Sequence, residues 1–501
     1  VTRLALGALA LATAAAAAAA CRPSAPVPAA PVVAPSAPVV APVEPTVPAA
    51  PATPIADAYR ATATKIIAYA RADRGAYDKL THLTDRIGNR LAGSASLDAA
   101  IAWAEGALRA DGHDVRTEKV MVPHWDRGVE SARLVAPITR DLVMLGLGGS
   151  VGTPKGGLTA KVVVVHGWDE LTAKAAEVKG AIVLYDTPMP AWTEAHGSGY
   201  GDIVGFRWAG PSAAARLGAV GVLMRSVTAH SLRTPHTGAM GYAADAPKIP
   251  AAAITTEDAE LIARLAAVGD VKVTLSMGAR MLPEAPSANV VAELRGRERP
   301  DEVVVIGGHL DSWDVGQGAH DDGAGVVHVM QALTTLRALG LVPRRTIRVV
   351  LFTNEENGGR GGKGYLAAHA DETHVAAIET DSGGFAPRGF AIDVHGDATA
   401  RARIAELTTL LAPLGATELN DDDSGADIGP LVDQLGIVGL GLRTDGRTYF
   451  DLHHTAADTL DKVDPQALAD GVATIAVMAY VLADLESAIV PAPVAAPAPA
   501  P

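Results

Sequence analysis

The residues of this chain that could do chemistry sit where hydrophobic runs stop. Val303-Val304-Val305-Ile306 leads into Gly307-Gly308-His309-Leu310-Asp311, Ile347 to Phe352 leads into Thr353-Asn354-Glu355-Glu356, and the run through Ile378 leads into Glu379-Thr380-Asp381. Short β-branched runs read as buried strands, and the functional groups of an open α/β sheet collect beyond the carboxyl ends of its strands. Three strands therefore deliver metal-capable side chains to one edge. A glycine-rich stretch from Gly316 to Gly325 carries Asp321 and Asp322, and glycine's conformational freedom lets such a turn aim a carboxylate inward. A fourth block, His453-His454-Thr455-Ala456-Ala457-Asp458-Thr459, follows the apolar run Ile437 to Leu442.

Singly, each residue has a duller reading. His309 suits a satisfied core histidine, Glu355-Glu356 a solvated turn, and Asp321-Asp322 a helix cap. Their joint occurrence, each just past a β run or inside a glycine-rich turn, argues for one site. His320 and His453 adjoin these residues, but sequence neighbours face different ways and both are set aside; His328 and His395 read as structural. Ser312 and Ser382 lack a hydrolase-type His/Asp pattern and no G-x-S-x-G elbow is visible, which argues against a serine hydrolase.

The elements that must position these groups follow from periodicity. Ala56 to about Arg116 is helical, with apolar residues at three-and-four spacing, and would cover one face of a sheet. Strand-like runs follow at Val115 to Val122, Arg133 to Val135 and Leu142 to Leu147. From about Gly148 the texture changes to many glycines and short strands, which reads as a small α/β domain inserted into the first. After Asn289, strands and helices alternate regularly, implying a mainly parallel mixed sheet flanked by helices. A last helix opens at Asp464-Pro465, an N-cap followed by proline in the first turn. The expected division is a signal peptide at 1–21, a Pro/Ala-rich linker at 22–55, a main domain in two parts at 56–135 and 287–488, an insert at 136–286, and a Pro/Ala-rich tail at 489–501.

These blocks resemble the di-zinc peptidase family of aminopeptidase Y and glutamate carboxypeptidase, and within it the carboxypeptidase Q (plasma glutamate carboxypeptidase) branch. The likeness runs from about Thr81 to Glu486. It includes Gly148-Gly149-Ser150-Val151-Gly152-Thr153-Pro154, Arg225-Ser226-Val227 and Pro235-His236-Thr237-Gly238, and is most specific over His309 to Ala319. The resemblance implies a zinc-peptidase, phosphorylase-hydrolase-like α/β fold with an inserted protease-associated domain. It implies two zinc ions, one on His309 and Asp381, the other on Glu356 and His454, with Asp321 bridging. Glu355 is then the general base for a metal-bound hydroxide, and the Asp321-Asp322 peptide bond is expected to be cis. Neighbouring residues leaving a strand point in different directions, so one glutamate can bind metal while the other reaches the water. Asp311 is expected to accept a hydrogen bond from the His309 nitrogen that faces away from zinc. Asp458 is expected to brace the His454 loop. Arg443, Tyr449 and the 424–427 segment are placed by position alone for substrate contact or oxyanion donation, and His236 either reaches over the cleft or lies on the surface.

The implied activity is zinc-dependent exopeptidase hydrolysis of dipeptides or small peptides, next to a free terminus. Two alternatives stand beside it: a glutaminyl cyclase-like single-zinc acyltransferase, and a catalytically inactive surface-binding homologue. A net charge of -14 without a dense Lys/Arg cluster argues against nucleic acid as partner. Cys21 is the one cysteine, so no intramolecular disulfide can form. It follows an apolar run and Ala18-Ala19-Ala20, which resembles a lipobox with alanine where leucine is usual; an ordinary signal peptide is the alternative. The expected location is therefore exported, as a cell-envelope lipoprotein anchored through Cys21, and family likeness suggests a homodimer.

Overall fold

The structure is a computed structural model that describes residues 54–490. The expected signal peptide, Cys21, the Pro/Ala linker up to residue 53 and the tail from 491 lie outside the described residues.

Among the described residues, two eight-stranded sheets organise the fold. The first runs in the order Asp114–Asp126, Arg280–Leu294, Arg345–Phe352, Arg299–His309, Thr373–Glu379, Val438–Thr444, Pro387–Asp393, Glu418–Asp421. Its centre is parallel, its flanks carry antiparallel pairs, and it is mixed as expected. The central strands are buried on both faces, which is why they read as unbroken apolar runs. Val304, Ile306, Ile347, Val349 and Ile378 face one core with Ile66, Leu80, Leu97 and Leu333 from helices. Val303, Val305, Val350 and Phe352 face the other with Tyr365, Leu431 and Val432. The helix Pro465–Asp484 is apolar almost all round and sits inside the first core, so its length reflects burial. Its Asp464 side chain accepts from the Ala467 amide at 2.7 Å, as the N-cap reading requires.

The second sheet runs Arg140–Leu142, Glu130–Ala136, Lys272–Met277, Leu158–Val165, Ile182–Tyr185, Gly221–Arg225, Ala251–Ile254, Met144–Gly146 and forms a lobe with its own cores. The exchange between sheets falls at 126–130 and 277–280 rather than at 136 and 286. Glu130–Ala136 pairs with Lys272–Met277, whereas Arg280–Leu294 stays in register with Asp114–Asp126. Pro283 is tolerated in that long strand because it lies at the register shift opposite Pro123. The expected single strand Leu142 to Leu147 is broken: the Val143 amide leaves the ladder to donate to Asp258 Oδ2 at 2.9 Å. Its halves then pair with different neighbours.

Candidate metal centre

The carboxyl ends of the three parallel central strands lie level, with His309 opposite Phe352 and Gly307 opposite Glu379. The chain therefore releases His309, the Glu355-Glu356 pair and Asp381 along one rim. Asn354, at φ +64°, turns the chain sharply between strand and glutamates; asparagine adopts this left-handed backbone more readily than most residues. On the glycine-rich turn the close approach is real. A Cβ on Gly325 would lie 1.8 Å from the Thr380 carbonyl oxygen, and one on Gly308 2.6 Å from Asp322 Oδ2. The Asp321-Asp322 peptide bond is cis.

Asp321 is the hub. Its Oδ1 lies 3.3 Å from His309 Nε2, and its Oδ2 lies 3.2 Å from His454 Nε2. Asp381 Oδ1 is 3.8 Å from His309 Nε2, and Glu356 Oε2 is 3.1 Å from His454 Nε2. His309 Nε2, Glu356 Oε1 and Asp381 Oδ1 are buried without a hydrogen-bond partner. Orphaned buried donors of this kind fit a cation, and two imidazoles with three carboxylates suit zinc. The electrostatics agree. Burial, then the Asp321 charge, pushes Glu356 up to about 7, and burial with nearby Asp381 and Glu356 pushes Glu355 well above the usual carboxylate range. Bound cations would relieve both.

Supporting contacts differ from expectation in three places. His309 Nδ1 faces the Asp311 backbone carbonyl at 3.0 Å, while the Asp311 carboxylate stays 3.9 Å away. That carboxylate instead accepts from the amides of Glu355 at 3.1 Å and Glu356 at 3.3 Å, fixing the turn that carries both glutamates. As expected, Asp458 braces the His454 loop, tying it to the Asp321 turn by accepting from the amides of His320 at 2.7 Å and Asp321 at 3.1 Å. His236 is fully buried, with both ring nitrogens unpartnered, and neither reaches over the cleft nor lies on the surface. His453, set aside in the sequence, is brought to the site: its ring stacks on His454 at 3.5 Å, with Nε2 3.7 Å from Asp321 Oδ2. Asp321, His453 and His454 are close enough to share an ion. Glu356 is nevertheless the better partner for His454, because its oxygen is 3.1 Å away and its second oxygen is free.

A cavity of about 610 Å³ opens onto Asp321, Glu355, Glu356, Asp381 and His454. Its walls include Trp125, Tyr200, Trp208, Met240, Met281 and Phe450, which are apolar or aromatic, and two cations that sequence reasoning missed, Lys363, which is exposed and donates to the Gly358 carbonyl, and Arg207. Arg207 is 7% exposed, donates to the Tyr200 hydroxyl at 2.8 Å and leaves Nε without a partner. Gly238 lies against its guanidinium, where a Cβ would come within 2.4 Å of Nη1. Tyr449 lines the metal cleft and, with Arg443, an adjoining cavity that also reaches Asp381. The 424–427 segment is tied to the sheet by Glu379 Oε2, which accepts from the amides of Asp427 and Ile428. A cavity of about 880 Å³ around Asp393, Asp421 and Asp433 is larger; it touches Gly425 and Ala426 but none of the five proposed ligands nor Glu355.

Fold and site together define a metal-dependent hydrolase of the open α/β type. The profile of peptidase family M28 matches residues 289–479. Carboxypeptidase Q of Mus musculus is 42% identical over 422 residues, 83% of this chain and 87% of that protein; the Homo sapiens protein is 41% identical over the same span. The solved structure of a peptidase M28 precursor from Shewanella amazonensis superposes with a TM-score of 0.83 at 39% identity, covering 87% of this chain and 99% of that one. A zinc aminopeptidase from Bacillus subtilis shares the fold, with a TM-score of 0.60 at 20% identity over 81% of this chain and 93% of that one. The chain belongs to peptidase family M28 and is a metal-dependent exopeptidase.

Proposed function

We propose that the chain is a two-zinc carboxypeptidase or dipeptidase, which releases the C-terminal residue of dipeptides and small peptides bearing a free carboxylate. The carrying observation is Arg207: a buried guanidinium in the wall of the metal cleft, with no carboxylate within ion-pair reach among the described residues. A desolvated, unpaired cation in a cleft is costly unless an anionic ligand neutralises it, and guanidinium and carboxylate match as a fork. The carboxypeptidase Q relatives carry the same activity in their name.

His309 and Asp381 would hold one zinc, Glu356 and His454 the other, and Asp321 would bridge. When bound, the ions supply Lewis acidity to the scissile carbonyl and lower the pKa of water. The rest is the work of side chains. Arg207 and the Tyr200 hydroxyl seat the carboxylate, which sets the scissile bond over Glu355. Glu355 takes a proton from the attacking water and returns it to the leaving amine. Trp208, Met240 and Met281 form the apolar wall against which the substrate side chains pack. As further parts of this reading, the lobe at 130–277 acts as a protease-associated-type cover, Cys21 anchors the chain by a lipid on the exported side of the membrane, and the chain pairs as a homodimer.

The test compares free dipeptides, their C-terminal amides and N-blocked dipeptides on the wild type and Arg207→Gln, with zinc counted per chain. Free and N-blocked dipeptides should be cleaved and amides spared, Arg207→Gln should raise KM for the free acid by about tenfold or more, and zinc should approach two per chain. Cleavage of amides at equal rates would remove the carboxylate reading, and one zinc without peptide cleavage would favour the acyltransferase alternative.

A further inference from the structure

Among the proposed ligands, His454 is the one whose backbone needs outside help. Its φ is +61°, in the left-handed region, where a residue other than glycine is strained and persists only when its surroundings enforce it. The same residue must aim Nε2 at Asp321 and Glu356. What holds it comes from the second lobe. The Thr237 amide donates to the His454 carbonyl at 3.1 Å, and His454 Nδ1 faces the Thr237 carbonyl at 3.3 Å. This reciprocal pair fixes the backbone and the ring at once. Because a carbonyl can only accept, it places the ring proton on Nδ1 and leaves the Nε2 lone pair free for a metal.

Thr237 is itself clamped. Its hydroxyl donates to the Gly146 carbonyl at 2.7 Å and accepts from Arg127 Nη2 at 3.3 Å. Arg127 is only 10% exposed, lies over the Trp125 ring at 4.9 Å and also donates to the Gly146 carbonyl. Its Nε donates to Asp314 Oδ2 at 2.8 Å, and Asp314 stands on the loop that leaves His309. Trp313, beside Asp314, meets the His454 ring edge-on at 5.7 Å. One guanidinium thus joins the His309 loop of the first sheet, a strand end of the second and the turn that grips His454. No step of the reaction uses it.

We propose that the second lobe is a working part of the metal centre: Arg127 and Asp314 clamp Thr237, Thr237 holds His454 in its metal-facing conformation, and zinc affinity is thereby coupled to docking of the lobe. Arg127, Asp314 and Thr237 are positioning residues. The inference rests on His454 being a metal ligand. Coupling of this kind is reciprocal, so zinc must also tighten the 235–238 turn.

The test uses the full chain and zinc alone as probe. Zinc affinity is measured by competition with a colorimetric chelator for the wild type, Arg127→Gln, Arg127→Lys and His454→Gln, and amide hydrogen exchange over 235–238 is measured in the wild type with and without zinc. Arg127→Gln should weaken zinc binding about 10- to 100-fold, Arg127→Lys should recover part of it, and zinc should slow exchange at the Thr237 amide. If His454→Gln weakens zinc while Arg127→Gln stays within about twofold of wild type, or if zinc leaves Thr237 exchange unchanged, the coupling is overturned and the ligand assignment stands. Unchanged affinity in His454→Gln would instead overturn the ligand assignment, and the coupling with it. The exchange measurement needs no variant, so the coupling can be tested even where a substitution misfolds.

Discussion

At the scale of single residues, the site separates groups that hold from groups that react. Glu355 and Glu356 are adjacent, yet only Glu356 faces His454, and both depend on the Asp311 carboxylate capping their amides. Glu355→Gln keeps the volume and removes the base; kcat should fall by about 10²- to 10⁴-fold with zinc content and melting temperature unchanged. Turnover within threefold of the parent would remove Glu355 from its role. Asp311→Ala, in contrast, strands two amides and should destabilise the fold by about 1–3 kcal/mol for each amide left buried and unpaired, read by urea unfolding. The sequence marks His309, Glu355, Glu356 and Asp381 because each lies at or just past a strand end, and Asp321 because it lies in a glycine-rich turn, whereas His454 stands in a loop beyond the helix Tyr449–Leu452. Arg207, Thr237 and Arg127 carry no such mark. Their partners lie 7 to 217 positions away, and although Thr237 falls in a stretch that carries the family likeness, nothing there shows what it holds.

At the scale of elements, the decisive feature is how closely the Asp321 turn presses on the strand that ends at Glu379. Gly325 has no room for a side chain, since a Cβ would meet the Thr380 carbonyl at 1.8 Å and Asp322 Oδ1 at 2.3 Å. Gly325→Ala should displace the turn and cost more than about 2 kcal/mol in urea unfolding, the scale of overpacking a rigid contact. Gly106 gives the control. It lies in the helix Ala95–Ala110 with nothing within 4 Å of an added Cβ, so Gly106→Ala should stabilise by about 0.5–1 kcal/mol through helix propensity alone. If both substitutions shift stability equally, close approach is not what selects glycine at 325.

At the scale of the whole molecule, stability is linked to metal and to protons. The site gathers carboxylates that burial alone opposes, so a chelator should lower the melting temperature and zinc should restore it. At free zinc a thousandfold above Kd the stabilisation is about 4 kcal/mol. An unchanged melting temperature after complete zinc removal would contradict this. Protons act elsewhere too. His374 is buried, its Nε2 lies 2.9 Å from the Tyr365 hydroxyl, and burial followed by the Arg348 charge lowers its pKa to about 4. The folded state keeps this ring neutral while the unfolded chain protonates it near 6.5. Stability is therefore lost as pH falls from about 6.5 to about 4, by up to about 3 kcal/mol from this one residue. His374→Gln should flatten that part of the unfolding-against-pH curve relative to wild type, while zinc loss, common to both proteins, cancels in the comparison.

Sequence alone determined what local physics writes into neighbours: unbroken valine and isoleucine runs buried on both faces of the first sheet, the Asp464-Pro465 helix start, and the metal-capable side chains His309, Glu356 and Asp381 at or just past strand ends. It placed the lobe boundary at 136 and 286, because strand pairing between Glu130–Ala136 and Lys272–Met277 joins segments far apart in the chain and leaves no local mark. Tertiary structure decided which atom of Asp311 meets which partner, that Asp458 holds the Asp321 turn, that His236 is buried, and that Arg207 lines the metal cleft. Each of these depends on distance and direction in space, to which spacing along the chain is blind.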